Sequence, residues 1–352
     1  MKKNFLVTGG AGFFGSLFVK YLSDRGHRVV IFDRLYDQKL AQEFDYFHGD
    51  FRSEDDLGKC FKRFGSFDAV FHIGAELAHC MISEESLWTS NVDGTEKVIE
   101  FAIKYKVPHL IFTSSNCAVG KPQIRPTNVH EEDPINPLEL YGKSKVEGEK
   151  ILQKYSDKIH TVAFRCPTII TSGRLGLLTI LFDFIREGRK VWVVGRGDNR
   201  YQFVFAYDLA NACLLATQKN FKSGFNLYNI GTDRVKTMAQ TYRWVINRAK
   251  TKARIAHLPK KATLLAMKVI YKLGISPLGP YHYGMIAENF VFNIDKIKKE
   301  LGWKPTLTNE KILAQAYEYY IENFDEIHTH KDRSAHRSAA KMGAIKLLKW
   351  LS

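Results

Sequence analysis

The chain has 352 residues, of which 45% are hydrophobic, and its formal net charge at pH 7 is +15. This length and composition exclude a low-complexity chain and allow one large body with two lobes. No apolar run approaches the roughly 20 residues of a membrane span, and no zinc-finger, basic-zipper or RNA-binding motif supports a nucleic-acid partner. The positive charge therefore indicates anionic ligands, an anionic membrane surface, or only a basic, well-solvated exterior.

The five cysteines are scattered and include no C-x-x-C pair. This spacing predicts reduced thiols, and no metal site is predicted. The first three residues lead directly into an apolar run at residues 4–8, so no signal peptide is predicted. We therefore expect a cytoplasmic protein.

A glycine turn follows the first predicted strand, at residues 4–8, and opens a helix that ends before Gly26. The turn consists of Gly9, Gly10, Ala11, Gly12, Phe13, Phe14 and Gly15. Three of its glycines have the spacing G-x-G-x-x-G between a strand and a helix. Glycines allow the backbone to approach a diphosphate, and a helix N-terminus presents N–H groups to it. The pattern predicts a dinucleotide site.

The second predicted strand, at residues 28–32, ends in Asp33. A carboxylate at this place accepts hydrogen bonds from the adenosine ribose and repels a 2′-phosphate, which favours NAD over NADP. Arg34 follows directly and would partner that phosphate if its loop turned toward it. We expect NAD as the cofactor.

Further strands are predicted at residues 45–48, 67–73, 109–113 and 160–165, in alternation with helices. This alternation indicates an α/β fold, a doubly wound parallel sheet whose strands end at one ligand-binding edge. Asp50 at that edge is a candidate acceptor for an adenine amino group. Gly74 and Ala75 end another strand, where small residues permit close approach to a cofactor. A long helix is predicted over residues 83–105.

Tyr141 and Lys145 lie four residues apart at the start of a helix predicted over residues 141–155, so their side chains share one face. A phenol has an ordinary pKa of about 10, and a nearby ammonium group lowers it by favouring the phenolate. Ser115 ends a strand that can supply a hydroxyl to the same place. These groups suit removal of a proton from a carbinol while its hydride passes to a nicotinamide.

Several stretches together resemble the extended short-chain dehydrogenase/reductase superfamily, specifically its NAD-dependent epimerase/dehydratase group. They are the glycine turn with Thr8, residues 49–51, 72–75, 91–95 and 112–115, Tyr141 with Lys145, and residues 301–305. The similarity covers residues 4 to about 320. It implies a Rossmann domain with bound NAD, Ser115 as polariser of the substrate oxygen and Tyr141 as acid and base. Lys145 would tune Tyr141 and hold the nicotinamide ribose.

The resemblance also implies further cofactor contacts, by Phe51, Ile73, Asn91 and Pro167. Asn91 would support Lys145 through the hydrogen-bond network of the site. Relatives pair through a four-helix interface, which the predicted helices at residues 83–105 and 141–155 would build, so a homodimer is expected.

We predict a Rossmann domain over residues 1–170, to which residues of about 200–232 return. A smaller, mostly helical substrate lobe spans residues 171–327, and a basic amphipathic tail spans residues 328–352. For the tail we predict attachment to an anionic membrane, with docking on the protein itself or on a partner subunit as the alternative. A second basic segment, at residues 260–272, would line an apolar pocket, rest on a membrane, or pack with its lysines outward.

The candidate substrate contacts are sought in the segments before the predicted helix that begins at residue 208. Nucleotide-sugar relatives often have an Arg-Asp-aromatic run before the Asp-Leu-Ala of a late helix, where the arginine holds a diphosphate. Here that run is replaced by residues 201–203, and Arg200 falls one position early, so on a strand it would face the other side. Asn116, Arg174 and Arg200 remain the candidate substrate contacts.

We predict an NAD-dependent epimerase/dehydratase-type oxidoreductase that acts on a secondary alcohol, that of a nucleotide-sugar. The alternative is a hydroxysteroid- or lipid-type dehydrogenase or reductase. A third reading, a cofactor-binding scaffold without catalysis, would predict a damaged Ser-Tyr-Lys set, whereas all three residues are present.

Overall fold

The computed structural model describes residues 2–77, 83–219, 224–274, 280–329 and residue 349. The strands are β1 (Asn4–Thr8), β2 (Arg28–Asp33), β3 (Asp45–His48), β4 (Ala69–His72), β5 (His109–Ser115), β6 (His160–Cys166), β7 (Thr168–Ile170), β8 (Lys190–Val194), β9 (Phe203–Phe205), β10 (Phe225–Asn229) and β11 (Arg254–Leu258). The helices are α1 (Phe13–Ser23), α2 (Gln38–Glu43), α3 (Glu54–Phe64), α4 (Glu84–Trp88), α5 (Gly94–Lys104), α6 (Asn116–Val119), α7 (Glu139–Lys154), α8 (Leu178–Arg186), α9 (Ala206–Ala216), α10 (Met238–Ala249), α11 (Lys260–Lys272), α12 (Pro280–Met285), α13 (Asp295–Leu301), α14 (Asn309–Glu322) and α15 (Phe324–Thr329).

Seven strands form one parallel sheet in the order β10-β6-β5-β4-β1-β2-β3. The strand order reverses beside β1, so the sheet is doubly wound and its carboxyl edge opens a crevice between β1 and β4. The α/β fold and the Rossmann arrangement predicted from the sequence are therefore confirmed.

Helices cover both faces of this sheet, which is why its central strands are apolar almost throughout. Along β1, Phe5 and Val7 belong to one core cluster, which includes Phe18 of α1. Leu6, between them, belongs to the opposite cluster with Phe61 of α3. Successive side chains on a strand point to opposite faces, so one short strand joins both halves of the core.

The helix predicted over residues 83–105 is divided into three parts. Between α4 and α5 the chain forms a π-helical turn, Thr89–Asp93, whose wider hydrogen-bonding pattern lets one extra residue into the helix. Ser90 and Asn91 of this turn are buried. Periodicity alone did not predict the break, because the apolar residues on both sides keep a helical spacing.

Outside the main sheet the chain forms two small parallel strand pairs, β7 with β9 and β8 with β11. The buried Trp303 joins this part to the sheet, because its indole Nε1 donates to Asp208 O of α9 at 2.8 Å. Asp208 also accepts from the backbone N of Thr306 at 2.9 Å. These contacts hold the residue 301–305 motif against the helix that carries Asp208.

Most of the predicted amphipathic tail lies outside the described residues. Of residues 328–352 the structure describes His328, Thr329 and Lys349, whose Nζ lies 2.6 Å from Oε1 of Glu187. Within the ranges given above, no helix is long and apolar enough to cross a membrane. No disulfide joins the four cysteines in those ranges, and Cys80 lies outside them.

Candidate active site

The glycine turn is closed by direct contact between backbones. Gly9 has φ +71°, and a Cβ placed on it would lie 2.4 Å from Cα of Gly74. A Cβ on Gly15 would lie 2.1 Å from the carbonyl oxygen of Gly9. The N-cap residue of α1 is Gly12, which has no side chain to cover the helix N-terminus. The turn therefore offers a backbone cradle at a helix N-terminus, which fits a dinucleotide diphosphate.

Asp33 is 8% exposed at the end of β2. Its two oxygens accept from the backbone N of Ala11 and of Leu35, each at 2.9 Å. Burial raises the pKa of this carboxyl, and the two N–H donors oppose that rise. Asp33 thus ties the glycine turn to the loop after β2, where an adenosine ribose would lie.

Arg34 belongs to that loop and forms an ion pair with the buried carboxylate of Glu76. Glu76 also accepts a hydrogen bond from Ser86 Oγ at 2.9 Å. The sequence suggested Arg34 as a possible partner for a 2′-phosphate. In the structure its guanidinium is held by Glu76, a residue that the sequence analysis did not identify.

Asn91, on the π-helical turn, is 2% exposed, and its side chain binds the backbone of the segment after β4. Its Nδ2 donates to Glu76 O at 2.9 Å and to Ser144 Oγ at 3.1 Å, and its Oδ1 accepts from Glu76 N at 2.8 Å. Among the described residues, no hydrogen bond joins Asn91 to Lys145. Asn91 is bound to Ser144 of α7, next to Lys145 in the chain, so its support of Lys145 through the network stays a prediction.

Asp50 and Phe51 follow β3 and make different contacts, a charged one and an apolar one. Both carboxylate oxygens of Asp50 bind Arg52, with Nε 2.9 Å from Oδ2. Burial opposes ionisation of Asp50, but Arg52 outweighs it and the pKa is lowered. The adenine contact predicted for Asp50 would have to share this carboxylate with Arg52. The Phe51 ring packs so closely on Gly74 that a Cβ there would lie 2.8 Å from it.

The remaining predicted cofactor residues lie at strand ends. The backbone N–H groups of Ile73 and Gly74 donate to Thr8 O at 3.2 and 3.0 Å, which brings the end of β4 against the glycine turn. Ala75 follows them, and Pro167 joins β6 to β7 at the same edge of the sheet.

Ser115, Tyr141 and Lys145 are brought together where β5 meets α7. Ser115 is the N-cap of α6, and its Oγ accepts from Cys117 N at 3.1 Å. The Tyr141 side chain lies near Ser115, which favours its phenolate form. Lys145, which is 2% exposed, donates from Nζ to Thr113 O at 2.9 Å. The same Nζ lies 5.7 Å from the centroid of the Tyr141 ring.

Burial determines the proton affinities of this group. It raises the pKa of Tyr141 well above its ordinary value, although the nearby Ser115 hydroxyl opposes the rise. Burial also lowers the pKa of Lys145 to about 8. The sequence predicted a lowered pKa for Tyr141. The opposite direction is found because desolvation of the phenolate exceeds the effects that favour it.

The pKa of Lys145 leads to a stability prediction. Unfolded lysine keeps its proton up to about pH 10.5, whereas folded Lys145 releases it near pH 8, so in that window the unfolded state binds more protons. Between these two pH values the free energy of unfolding should therefore rise by up to about 1.4 kcal/mol for each pH unit. Lys145→Met should lack this rise, as urea unfolding at several pH values would show. Lys143 is exposed, so Lys143→Met is the matched control and should keep this rise. If the free energy of unfolding changed equally with pH in the original protein and in both variants, the prediction would be contradicted.

Two of the three candidate substrate residues lie near the crevice. Asn116, next to Ser115, donates from Nδ2 to the hydroxyl of Tyr201 at 2.9 Å. The Arg174 guanidinium lies over the Phe13 ring of the glycine turn, 5.5 Å from its centroid. Arg200 is exposed, and its guanidinium donates to Val235 O. No contact in the described ranges joins Arg200 to the Ser115 group, so the structure does not bring this candidate into the site.

Arg174 is a half-buried cation to which the described residues offer no matching anion. Burial lowers its pKa to about 10. Its Nε is buried without a hydrogen-bond partner, and it forms no salt bridge, among the residues that the structure describes. Burying a charge is costly unless it is paired, so this arrangement favours an anionic ligand beside Phe13.

A doubly wound parallel sheet with a glycine turn at its crevice defines a Rossmann-type dinucleotide-binding protein. A family model described as "NAD dependent epimerase/dehydratase family" matches residues 5–231. The chain belongs to this family, and it is an enzyme of the short-chain dehydrogenase/reductase type that uses a nicotinamide cofactor.

Relatives of this chain are named for different activities. A putative UDP-glucose 4-epimerase of Methanocaldococcus jannaschii is 30% identical over 67% of this chain and 79% of its own length. A 3β-hydroxysteroid dehydrogenase/Δ5→4-isomerase of Mycobacterium tuberculosis is 26% identical over 92% of this chain and 91% of its own. The crystal structure of UDP-glucose 4-epimerase from Thermotoga maritima with UDP-glucose has a TM-score of 0.75 and 22% identity, covering 91% of this chain and 99% of that one.

Proposed function

We propose that the protein oxidises a secondary alcohol of a nucleotide-sugar with NAD, as the first step of an epimerisation or dehydration. The observation that carries this proposal is the placement of Ser115 and Lys145 beside Tyr141, with Lys145 Nζ 5.7 Å from the centroid of the Tyr141 ring. These are an acid–base group, a hydroxyl donor and a cation on one side of a crevice that fits a dinucleotide.

In the proposed step, Tyr141 accepts the proton of the substrate hydroxyl at its phenol oxygen. Bound NAD supplies the hydride acceptor for the carbinol carbon. Ser115 donates a hydrogen bond to the same substrate oxygen and holds it near Tyr141. Lys145 places a positive charge beneath the ring, which favours the phenolate form that takes the proton. Once the Tyr141 phenolate has taken this proton, its raised pKa keeps it as the neutral phenol, which returns the proton when the alcohol is reformed.

Arg174 supports a nucleotide-sugar as the substrate, because a diphosphate would supply the anion that the described residues do not give its half-buried guanidinium. Relatives named as UDP-glucose 4-epimerases agree with this choice. The test is mass spectrometry of small molecules retained by gently purified protein. A UDP-, GDP- or dTDP-sugar is expected, and recovery of a sterol or acyl ligand instead would contradict the proposal.

A hydroxysteroid- or lipid-type alcohol is the second candidate, and Tyr201 is the observation that favours it. Tyr201 stands where nucleotide-sugar relatives often have a diphosphate-binding arginine, and its hydroxyl is bound by Asn116 at 2.9 Å. An uncharged aromatic side chain there suits a less polar substrate. The similarity to a 3β-hydroxysteroid dehydrogenase agrees with this alternative.

We propose NAD rather than NADP as the cofactor. Replacing Asp33 tests this preference. Asp33→Ser should lower the ratio of the Kd for NADP to the Kd for NAD by about tenfold, because the carboxylate that repels a 2′-phosphate is removed. Calorimetric titration with both cofactors measures the ratio. Asp37→Ser is the matched control, since Asp37 caps α2 and serine can replace that cap. An unchanged ratio in Asp33→Ser would show that Asp33 does not select the cofactor.

We also propose a homodimer that pairs through α5 and α7. These helices are held side by side, since Lys154 Nζ lies 2.7 Å from Glu96 Oε1 and Tyr155 donates to Glu100 Oε1 at 2.6 Å. Sedimentation velocity would test this, and a monomer at all accessible concentrations would contradict it.

A further inference from the structure

Helix α11 presents apolar side chains to solvent. None of its thirteen residues is buried. Its inner side is half-buried and contains Thr263, Leu264, Met267 and Ile270. The structure therefore differs from the commonest arrangement, in which such a helix packs its apolar residues inward and turns only its lysines outward.

The outer side carries a continuous apolar strip. Leu265, Val269 and Leu273 are spaced by four residues, so they are neighbours along one face. Their exposed fractions are 65%, 49% and 66%. The two leucines are the most exposed large apolar side chains of the described residues. Scattered exposed leucines are normal on a surface, but an aligned strip indicates a contact with something else.

Lysines border this strip on one side. At 100° per residue, Lys261, Lys268 and Lys272 fall within about 60° of Leu265 on the helix surface. The helix contains no acidic residue. Lys261 and Lys272 form no ion pair with any residue in the described ranges, and Lys268 Nζ lies 6.0 Å from the centroid of the Tyr283 ring. The positive charges of this face are therefore largely uncompensated.

We propose that this face, formed by Leu265, Val269 and Leu273 with Lys261, Lys268 and Lys272, binds the surface of an anionic membrane. The apolar strip enters the acyl boundary while the lysines contact the lipid phosphates, and each contribution strengthens the other. Lysine side chains beside an apolar face can reach headgroups from their flexible stems. A chain of net charge +15 is attracted to such a surface at long range as well.

The start of α11 is fixed to the rest of the protein. Lys260 Nζ lies 3.2 Å from Oε1 of Glu288, whose Oε2 lies 3.4 Å from Nζ of Lys121. Lys121 follows the segment that begins with Ser115 and α6. Glu288 thus connects the first residue of α11 to the loop after α6. With α11 on the membrane, the substrate lobe would face the bilayer.

The test is sedimentation of the full-length protein with phosphatidylcholine vesicles that contain or lack phosphatidylglycerol. The protein should pellet with the anionic vesicles only. Leu265→Ser, Val269→Ser and Leu273→Ser combined, and separately Lys261→Gln, Lys268→Gln and Lys272→Gln combined, should each weaken binding about tenfold or more. Two matched triple variants serve as controls and should bind as the unaltered protein does. They are Ile124→Ser, Ile135→Ser and Ile321→Ser, and Lys299→Gln, Lys304→Gln and Lys311→Gln.

The basic tail must be separated from α11, so a third variant carries Arg333→Gln, Lys341→Gln and Lys346→Gln in the full chain. If this variant loses binding and both α11 variants keep it, the proposal is wrong. It is also overturned if the unaltered protein ignores anionic vesicles. If the α11 variants alter the oligomeric state measured by light scattering without vesicles, the face is an interface between copies instead, and that result likewise overturns the proposal.

A second measurement does not depend on how the triple variants fold. Val269→Trp should lose fluorescence when the anionic vesicles contain brominated acyl chains, because the new indole would lie within the acyl boundary. Ile321→Trp, which places an indole on α14, should show no loss beyond that of the unaltered protein. Equal quenching of the two variants would overturn the proposal.

Discussion

Tyr141→Phe is expected to lower kcat about a thousandfold while leaving the Kd for NAD within about a factor of two. The substitution removes only the hydroxyl that exchanges a proton with the substrate, and the ring keeps its packing. The Lys145 Nζ would remain bonded to Thr113 O, 2.9 Å away, so the cofactor side of the site should be unchanged. Steady-state kinetics with the substrate recovered by mass spectrometry, together with calorimetric NAD titration, would measure both quantities.

Tyr155→Phe provides the matched control for this prediction. Tyr155 ends the same helix, but its hydroxyl donates to Glu100 Oε1 at 2.6 Å, far along the chain from Ser115. Its removal should leave kcat unaltered. If Tyr141→Phe kept kcat within about threefold of the original value, Tyr141 would not be the acid–base group.

Gly15→Ala should destabilise the protein by about 3 kcal/mol and raise the Kd for NAD at least tenfold. The new Cβ would lie 2.1 Å from Gly9 O and 2.8 Å from Gly10 Cα, and both are backbone atoms that cannot rotate away. Relief requires movement of α1 from β1, which would open the cradle for the diphosphate. Urea unfolding and NAD titration would measure the two effects.

Gly58→Ala is the control for backbone substitution, because the nearest atom to its new Cβ is Cε1 of Phe101, at an ordinary contact distance of 3.7 Å. Alanine is the better helix former, so this variant should be more stable by about 0.5–1 kcal/mol. A Gly15→Ala protein as stable as the original, with unchanged NAD affinity, would show that the turn can widen without cost.

The parts of the fold that the sequence predicted are those that depend on local pattern. The apolar runs of β1, β2 and β5 and the glycine turn each signal their own structure within a few residues. Tyr141 and Lys145 lie one helical turn apart, so their common face followed from spacing alone. Ser115 could be added because parallel strands end at one edge of the sheet.

The parts that the sequence did not predict depend on contacts between distant residues. Arg34 pairs with Glu76 across 42 positions, and Asn116 binds Tyr201 across 85. No local signal specifies such partners, because many arginines, glutamates and tyrosines have suitable chemistry. The direction of the pKa of Tyr141 was wrong for the same reason. Burial is a property of the assembled fold, and spacing along a helix does not report it.

Strand β10 has a consequence for how the chain is made. It completes the edge of the main sheet beside β6, although 58 residues separate Cys166 from Phe225 and include all of β7 to β9. The edge of β6 thus stays open during translation until about two-thirds of the protein has left the ribosome. An unpaired edge beside an apolar core is prone to aggregation. Chaperone demand during synthesis should therefore peak before residue 229 emerges and fall once β10 has paired.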